Sequence, residues 1–380
     1  MSRTQITEDD VARLRTSPTP TYRAAIVGTG FMGRVHAQAV HTAGGRVVGI
    51  VGSSVDQAKT ALPEMYSDLA FSSLNEALES QHVDVVHVCT PNHLHESVVL
   101  AAVDAGKHVV CEKPLSTSAE SAALMTAAAR DAQRVATVPF VYRFHPMVRE
   151  ARERVRAGDI GTVFLAHGGY LQDWLLRPSD DNWRVDPSLG GPTRAFGDIG
   201  SHWCDLLEFV TGDRIVQVSA QLSTVNEHRG DGAPRLVSTE DIVVVQFTTA
   251  AGVIGSVVIS QVSAGRKNRL VLEISGSTSS LAFDQENAEF LWRGGRASSS
   301  VLVRDPETLT PAAARYARIP SGHPQGYQDC FNSFVSDTRS AMGGSWPDGL
   351  PTFDDGLRAA KIADAVVASA REHTWVEVGM

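Results

Sequence analysis

A glycine-rich turn near the start of the chain restricts its fold more than any other feature. Gly28, Gly30 and Gly33 directly follow a short β-branched run and open a segment with helical periodicity. Glycines let the backbone turn tightly and approach a pyrophosphate, and the unpaired N–H groups of a helix N-terminus attract that anion. A glycine-rich turn without a ligand is the alternative, which the strand–turn–helix setting disfavours. The turn therefore predicts a dinucleotide-binding site.

Strand and helix patterns alternate around this turn, from residue 22 to about residue 141. Short β-branched runs at residues 23–27, 47–51, 83–89, 108–111 and 135–141 predict strands, and the Ala-rich stretches between them predict helices. The runs are almost continuously apolar, as in strands that helices cover on both faces. Ser73-x-x-Glu76 and Thr117-x-x-Glu120 match the capping box that begins a helix. The pattern predicts a doubly wound parallel sheet, the Rossmann fold.

The pattern changes after Pro146. One predicted helix, 147–157, precedes alternating segments at 216–225, 241–248, 252–261 and 269–275, and a helix at 354–371 and a strand at 375–378 follow. A chain of 380 residues is long enough for two domains. We predict an α/β protein with an N-terminal arm (1–21), a Rossmann dinucleotide-binding domain (22–141) and a C-terminal α/β domain (142–380). The second domain is predicted to hold a large, mainly antiparallel open sheet and to bind substrate and partner subunits.

The composition excludes several classes of protein. A net charge of −9 supplies no broad positive field for nucleic acid or anionic lipid. Cys89, Cys111, Cys204 and Cys330 lie far apart, which indicates neither a disulfide framework nor a zinc site. The first 21 residues contain no apolar leader and no membrane span, so we expect a cytoplasmic protein without nucleic-acid or membrane partners.

The preference for NAD or NADP stays open. An acidic residue at the end of the second strand would hold the ribose of NAD, but the chain has Gly52, Ser53 and Ser54 there. The two serines could contact the ribose or a 2′-phosphate, or Ser54 could cap a helix in a box with Gln57. No cation stands beside them for a phosphate, which favours NAD.

Polar clusters follow two further predicted strands. Thr90-Pro91-Asn92 and His95 come after 83–89, and Glu112-Lys113-Pro114 comes after 108–111. Loops at the carboxyl ends of parallel strands line the ligand crevice of such a sheet. In the second half, Asp198 and His202 have the i, i+4 spacing that places two side chains on one helix face. No histidine, including His36 and His93, belongs to a set with metal-coordinating spacing, so no metal is predicted.

In this order, these motifs resemble the glucose–fructose oxidoreductase/inositol dehydrogenase/MocA family, from about residue 22 to residue 378. The resemblance implies a cofactor bound between a Rossmann domain and an open-sheet domain, and pairing of sheets into a homodimer or homotetramer. It rests on the glycine fingerprint, Thr90-Pro91-Asn92 with His95, Glu112-Lys113-Pro114, Tyr142-Arg143-Phe144-His145-Pro146, Gly158-x-Ile160-Gly161, Asp198-x-Gly200-x-His202-x-x-Asp205 and Pro351-Thr352-Phe353-x-Asp355-Gly356.

The resemblance also implies roles for three residues. Lys113 would lie near the substrate hydroxyl and the cofactor, Asp198 would orient its neighbours, and His202 would be the acid/base. Oxidation of a secondary alcohol requires removal of the hydroxyl proton, which histidine can accept near neutral pH. A lysine ammonium would stabilise alkoxide charge, and Asp198 could fix the imidazole or bind a neighbouring hydroxyl. The predicted cofactor-binding residues are Gly28, Gly30, Phe31, Met32, Gly33, Ser53, Ser54, Thr90, Pro91, Asn92, His95, Glu112, Lys113, Trp183 and Arg184.

Aromatic and polar residues between 170 and 194 suit a sugar ring, whose apolar face packs on an aromatic ring while its hydroxyls find polar partners. Filling of the interdomain core is the alternative for the tryptophans. We predict a carbohydrate or cyclitol substrate and oxidation or reduction of a secondary alcohol of a sugar, glycoside, anhydrosugar or cyclitol. A redox-assisted glycosidase or lyase with tightly bound NAD and a non-catalytic nucleotide sensor are the alternatives. The predicted substrate-binding residues are Lys113, Tyr142, Trp174, Arg177, Asp198, His202 and His323.

Overall fold

A computed structural model describes residues 22–230 and 235–379 of the chain. The predicted N-terminal arm, 1–21, lies outside the described residues. The protein is an α/β protein whose parallel sheet precedes a large mixed sheet, as predicted. Across the described ranges, no helix combines the length and the apolar character needed to cross a bilayer.

The N-terminal domain is a Rossmann domain with a five-stranded sheet in the order β2-β1-β3-β4-β5. All neighbouring strands pair in parallel, and apolar side chains from both sheet faces are buried beneath the helices. Its elements are β1 (Arg23–Val27), α1 (Phe31–Thr42), β2 (Arg46–Val51), α2 (Val55–Ala61), α3 (Leu74–Glu79), β3 (Val85–Val88), α4 (His95–Asp104), β4 (His108–Cys111), α5 (Ala119–Asp131) and β5 (Ala136–Thr137).

Two local predictions in this domain were wrong in detail. The strand expected at 135–141 is limited to β5, because Pro139 has no N–H to donate and Val138 donates to Pro351 instead. The cap of α5 is Ser118, which accepts from the Ser121 N–H, and not Thr117. Adjacent hydroxyl residues have the same capping chemistry, so the sequence alone does not choose between them.

The C-terminal domain contains a nine-stranded sheet in the order β15-β14-β13-β12-β6-β11-β10-β7-β16, in which β6 and β11 pair in parallel and every other pair is antiparallel. Its elements are α6 (Pro146–Arg156), β6 (Val163–Leu171), α7 (Pro187–Gly190), α8 (Ser201–Thr211), β7 (Ile215–Ser223), β8 (His228–Arg229), β9 (Arg235–Leu236), β10 (Ile242–Thr249), β11 (Ile254–Ser260), β12 (Arg269–Gly276), β13 (Ser279–Asp284), β14 (Phe290–Gly295), β15 (Ser299–Val303), α9 (Pro311–Ala314), α10 (Tyr327–Met342), α11 (Phe353–Glu372) and β16 (Val376–Glu377).

Two late helices connect the domains. Helix α10 buries Phe331 and Phe334 in the same apolar cluster as Val35 of α1 and Ile26 of β1. At its start, Tyr327 directs its hydroxyl at the Met32 sulfur, 3.9 Å away, beside the glycine turn. Helix α11 packs against α5 of the first domain and β7 of the second. Helices from the C-terminal half of the chain therefore pack on the first domain. Their contacts hold the carboxyl ends of the parallel strands against the second domain.

Candidate active site

The glycine turn is shaped for a ligand to approach its backbone. Gly28 has a φ of +114°, and a Cβ there would lie 2.4 Å from the carbonyl oxygen of Cys89. A Cβ on Gly33 would lie 2.2 Å from the Gly28 carbonyl oxygen, so both positions require glycine. A Cβ on Gly30, the N-cap of α1, would meet no atom within 4 Å. The open space over Gly30, at a helix N-terminus, fits a dinucleotide pyrophosphate.

Gly30→Ala is expected to weaken NADH binding about tenfold or more while leaving the unfolding temperature unchanged. The backbone of Gly30 (φ −74°, ψ −169°) suits alanine, and the added methyl would enter only the open space. Titration of NADH fluorescence and a thermal melt measure the two effects. Gly326→Ala is the control, because Gly326 is also a helix N-cap with open space around its Cβ position. Equal NADH affinity for wild type and Gly30→Ala would contradict this placement.

Ser53 and Ser54 form a helix cap. The Ser54 hydroxyl accepts from the Gln57 N–H at 3.2 Å, and both the N–H and the hydroxyl of Ser53 donate to Gln57 Oε1. Both serines are exposed. The capping interpretation left open by the sequence is therefore what the structure shows, and a ribose contact by either serine stays a prediction.

The two loops at the carboxyl ends of β3 and β4 are tied together by His95. Its Nε2 lies 3.0 Å from the Thr90 carbonyl oxygen, and its Nδ1 lies 3.0 Å from the Pro114 carbonyl oxygen. The side chain of Asn92 donates to the Gly190 carbonyl of the second domain at 2.9 Å. Among the described residues, the buried Thr90 hydroxyl has no hydrogen-bond partner. His95 and Asn92 thus fix the loops, while Thr90 presents a polar atom for a ligand.

Lys113 and Asp198 meet across the domain boundary. The Lys113 ammonium donates to Asp198 Oδ1 at 2.6 Å and to the Asp198 carbonyl oxygen at 3.0 Å. The second carboxylate oxygen accepts from Gln261 Nε2 at 2.8 Å, and Arg184 lies 3.6 Å from the first. Burial raises the pKa of Asp198, but the charges of Lys113 and Arg184 outweigh it and hold that pKa well below its ordinary value. Asp198 is therefore an ionised anchor for the lysine.

His202 lies beside this ion pair on α8, directly after a π-helical turn over Phe196–Gly200. Such turns are common at functional sites. The rings of Phe140 and Tyr142 meet the imidazole edge-on, at 5.7 and 4.9 Å between centroids. Burial, followed by the Lys113 ammonium, holds the pKa of His202 well below its ordinary value, against the opposing charge of Asp198. The imidazole is therefore uncharged at neutral pH and can accept a proton.

The sequence left two roles open for Asp198, fixing the imidazole or binding a neighbouring hydroxyl, and among the described residues no hydrogen bond supports the first. Both carboxylate oxygens are used by Lys113 and Gln261, and His202 Nδ1 is buried without a hydrogen-bond partner in the described part of the chain. The carboxylate lies near the ring but holds the lysine and not the imidazole. The tautomer of His202 is therefore not set by Asp198.

A polar wall extends from His202 towards Trp174. Asn268 donates to the Tyr142 hydroxyl at 3.1 Å, and its carbonyl oxygen accepts from Tyr170 and from Gln172. Gln172 in turn accepts from the Trp174 indole N–H at 2.9 Å. The wall places amide and hydroxyl groups beside aromatic rings, the combination that recognises sugars.

Three predicted substrate residues lie at the edge of this arrangement or away from it. Trp174 is 37% exposed and reaches Tyr142 only through Gln172 and Asn268. The side chains of Arg177 and His323 are exposed, and within residues 22–230 and 235–379 no hydrogen bond joins either side chain to Lys113, Asp198 or His202. Their contact with substrate remains a prediction. Trp183, by contrast, lies 4.4 Å beneath the Arg184 guanidinium that reaches Asp198.

Several residues that build the site were not predicted from the sequence. Gln261 follows β11, Asn268 precedes β12, and both meet the end of β6 because β11 and β12 flank that strand. Glu240, 2% exposed, accepts from the Thr193 hydroxyl and from two backbone N–H groups at the start of the π-helical turn. No local spacing signals these residues, because strand order brings them together.

Glu240→Ala is expected to lower the free energy of unfolding by about 2–3 kcal/mol, because it leaves buried donors without acceptors at the start of the helix that carries His202. Urea unfolding followed by circular dichroism measures the loss. Glu307→Ala, at an exposed glutamate, is the control and should change stability by less than about 0.5 kcal/mol. Equal effects of the two substitutions would show that Glu240 does not cap this helix.

One cavity in the described part of the chain lies away from this site. It has a volume of about 620 Å³ and lies between α5, α8 and α11. Its buried charges already satisfy one another, because Arg143 pairs with Asp205 and Arg358 pairs with Glu208. The described residues also include no cluster of three or more histidine, cysteine or acidic side chains able to hold a metal ion. The chemistry therefore concentrates at Lys113, Asp198 and His202.

Comparisons with known proteins agree with this geometry. Residues 22–140 match the family model described as "Oxidoreductase family, NAD-binding Rossmann fold", and residues 148–282 match the "GFO/IDH/MocA C-terminal domain". Levoglucosan dehydrogenase of Pseudarthrobacter phenanthrenivorans is 31% identical over 385 residues, covering 93% of this chain and 97% of that protein.

Two solved structures are similar over almost the whole chain. A levoglucosan dehydrogenase complex with NADH and L-sorbose has a TM-score of 0.89 at 29% identity and covers 95% of this chain and 99% of its own. An oxidoreductase domain protein from Kribbella flavida has a TM-score of 0.88 at 32% identity, with coverages of 95% and 100%. The chain therefore belongs to the Gfo/Idh/MocA family of NAD-binding oxidoreductases.

Proposed function

We propose that this protein oxidises a secondary alcohol of a sugar, anhydrosugar, glycoside or cyclitol, with His202 as the base. The observation that carries the proposal is an uncharged imidazole beside an ammonium held by a carboxylate, at the carboxyl edge of a sheet with an open glycine turn. A substrate hydroxyl placed between His202 and Lys113 would meet a proton acceptor and a cation together.

The glycine turn, the Thr90 hydroxyl and the loop that carries Lys113 would hold the cofactor. Bound NAD⁺ supplies a hydride acceptor for the substrate carbon. His202 takes the hydroxyl proton, the Lys113 ammonium stabilises the oxygen as its negative charge grows, and Asp198 keeps the lysine in place. In the reverse direction, protonated His202 returns the proton to the alcohol oxygen.

The site favours a ring with several hydroxyl groups. Asn268, Gln172 and the two tyrosines place amide and hydroxyl groups, which bond one another, beside flat rings, and such a mixed surface suits a sugar better than an aliphatic alcohol. The similarity to levoglucosan dehydrogenase supports an anhydrosugar or a related pyranose. The absence of a cation beside Ser53 and Ser54 in the sequence supports NAD over NADP.

A spectrophotometric screen tests the proposal. Purified protein is mixed with NAD or NADP and with anhydrosugars, free aldoses, inositols or aryl glycosides, and the absorbance of the reduced cofactor is followed. A rise with one class of sugar and a larger rate with NAD would support the proposal. Cleavage of an aryl glycoside without net NADH formation would favour the redox-assisted glycosidase. NADH binding without turnover of any substrate class would favour the sensor.

We also propose that the open face of the large sheet pairs two copies of the chain. This face carries a band of exposed apolar side chains in two groups, one on β6, β11 and β10 and one on β14 and β15, with β12 and β13 between them. The helices cover the opposite face, so the band has no partner within the described chain. It consists of Leu165, Val244, Ile254, Val258, Phe290, Trp292, Val301 and Val303.

Light scattering after size exclusion is expected to give twice, or four times, the mass of one chain. Val258→Asp should shift the protein towards the monomer, because it places a charge on β11, the middle strand of the group formed by β6, β11 and β10. Leu236→Asp is the control, since Leu236 is 70% exposed on the β8–β9 hairpin and outside the large sheet. A monomeric wild-type protein, or equal behaviour of the two variants, would refute pairing through this face.

A further inference from the structure

Four buried side chains form an unbroken line of hydrogen bonds, which we call the Tyr22–Glu112 hydrogen-bond chain. The Tyr22 hydroxyl lies 2.8 Å from His87 Nε2, the two Nδ1 atoms of His87 and His36 lie 2.8 Å apart, and His36 Nε2 lies 2.9 Å from Glu112 Oε1. Each of the four residues is at most 5% exposed. This hydrogen-bond chain starts at Tyr22, directly before β1. It passes through His87 on β3 and His36 on α1 and ends at Glu112, in the loop that carries Lys113.

Its last member acts on the proposed catalytic lysine. The second oxygen of Glu112, Oε2, accepts the backbone N–H of Lys113 at 3.1 Å. The carboxylate is therefore held by His36 on one oxygen and holds the backbone of Lys113 with the other. Rotation of Glu112 would move the backbone from which the ammonium reaches Asp198.

The positions of the protons in this chain follow from counting donors. A neutral imidazole has one N–H donor and one acceptor nitrogen, and a carboxylate only accepts. His36 can donate to ionised Glu112 only from Nε2, so a neutral His36 must accept at Nδ1. His87 must then donate from Nδ1 and accept at Nε2, and the Tyr22 hydroxyl supplies that last hydrogen.

The reverse direction leaves groups unsatisfied. If His36 donated from Nδ1, then Glu112 would have to be protonated or His36 would have to be a buried cation. His87 would donate to the Tyr22 oxygen, and the hydroxyl hydrogen would have no other acceptor in the part of the chain that the structure describes. Burial also holds the pKa of His87 well below its ordinary value, which favours a neutral ring.

We infer that Tyr22, His87 and His36 are positioning residues, in which Glu112 fixes the tautomers of both histidines, the Tyr22 hydroxyl satisfies the last ring nitrogen, and the completed hydrogen bonds hold Glu112 against the Lys113 loop. The effect on turnover rests on the proposed function, whereas the tautomers do not. All three residues act through Glu112 and Lys113.

Nitrogen-15 NMR of histidine-labelled protein tests the tautomers without any substrate. The wild type should show His36 protonated at Nε2 and His87 protonated at Nδ1, with His87 not titrating near neutral pH. His36→Gln and His87→Gln assign the two sets of signals. In Tyr22→Phe, both tautomers should persist, because Glu112 still accepts from His36, and the nitrogen-15 shift of His87 Nε2 should move because that atom loses its hydrogen-bond donor. Wild-type His87 protonated at Nε2, or His36 as an imidazolium, would overturn the inference even if the protein had no dehydrogenase activity.

Kinetics test the consequence for Lys113. Tyr22→Phe should lower kcat about threefold to tenfold, because the loss of one buried hydrogen bond loosens the hold of Glu112 on the Lys113 loop. The NADH affinity should stay within about twofold of the wild-type value. Tyr66→Phe is the matched control. This half-exposed tyrosine donates to Gln38 on α1, the helix that also carries His36, and makes no hydrogen bond to the Tyr22–Glu112 hydrogen-bond chain. Unchanged kcat in Tyr22→Phe, with the tautomers as described, would refute the positioning role. A screen with no active substrate would refute the proposed function and leave the NMR result decisive.

Discussion

His202→Ala is expected to lower kcat about two to four orders of magnitude, the usual range for loss of a general base. NADH affinity should change by less than about threefold, because the imidazole contacts Phe140 and Tyr142 and not the glycine turn. Steady-state kinetics with the substrate found in the screen, together with NADH fluorescence, separates the two effects. Added imidazole should restore part of the rate if the missing group is a proton acceptor.

His82→Ala is the control for this variant, because His82 is exposed and lies at the opposite end of β3 from the catalytic loops. A structural role for His202 would appear as a lower unfolding temperature and an activity that imidazole does not restore. Turnover equal to that of the wild type would remove His202 from the mechanism. A thermal melt of each variant separates loss of folding from loss of the base.

Local chemistry explains why part of this site could be predicted from the sequence. The glycine spacing, the apolar strands and the loops after β3 and β4 are set by residues close together in the chain, so their positions followed from pattern alone. Lys113, Asp198 and His202 were named from motifs, and the structure brings all three together. Only their hydrogen-bond partners had to come from the fold.

Partners supplied by distant strands could not be predicted. Gln261 and Asn268 reach the site because β11 and β12 flank β6, and that order combines one parallel pair with antiparallel ones. Gly168 and Gly169 interrupt the alternating strand pattern of β6 in the sequence. The fold nevertheless requires glycine at position 168, because a Cβ there would lie 1.9 Å from the Val271 carbonyl oxygen of β12. The central strand of the sheet was therefore the hardest to recognise.

The bonding of Asp198 illustrates the same limit. The i, i+4 spacing correctly placed it near His202, but spacing does not show that Lys113 and Gln261 already occupy its oxygens. In the same way, spacing argued only against His36 as a metal ligand, whereas the fold uses both of its nitrogens in hydrogen bonds to His87 and Glu112. A side chain's role depends on which groups lie within hydrogen-bond distance of it, and the tertiary fold determines those groups.

The second large effect is expected at Lys113. Lys113→Met should lower kcat about two to three orders of magnitude, comparable to the loss of one oxyanion donor. It should also move the acidic limb of the pH profile of kcat/KM. Neutral His202 is the active base, so the rate falls as the pH drops through its pKa, which burial and the Lys113 ammonium hold well below the ordinary histidine value. Removing the ammonium raises that pKa, and the limb moves to higher pH.

A double-mutant cycle with Asp198→Asn separates the direct and indirect contributions of the lysine. If Asp198 acts by holding Lys113, as the 2.6 Å contact indicates, then Asp198→Asn should cost much less in the Lys113→Met background than in the wild type. Lys113→Arg keeps the charge and should leave the acidic limb in place even where kcat falls, since a guanidinium has a different geometry. Lys59→Met, at an exposed lysine on α2, controls for the substitution itself.

Two outcomes would contradict these roles. An acidic limb at the same pH in wild type and Lys113→Met would show that the ammonium does not act on His202. Strictly additive losses in the cycle would show that Asp198 works independently of the lysine.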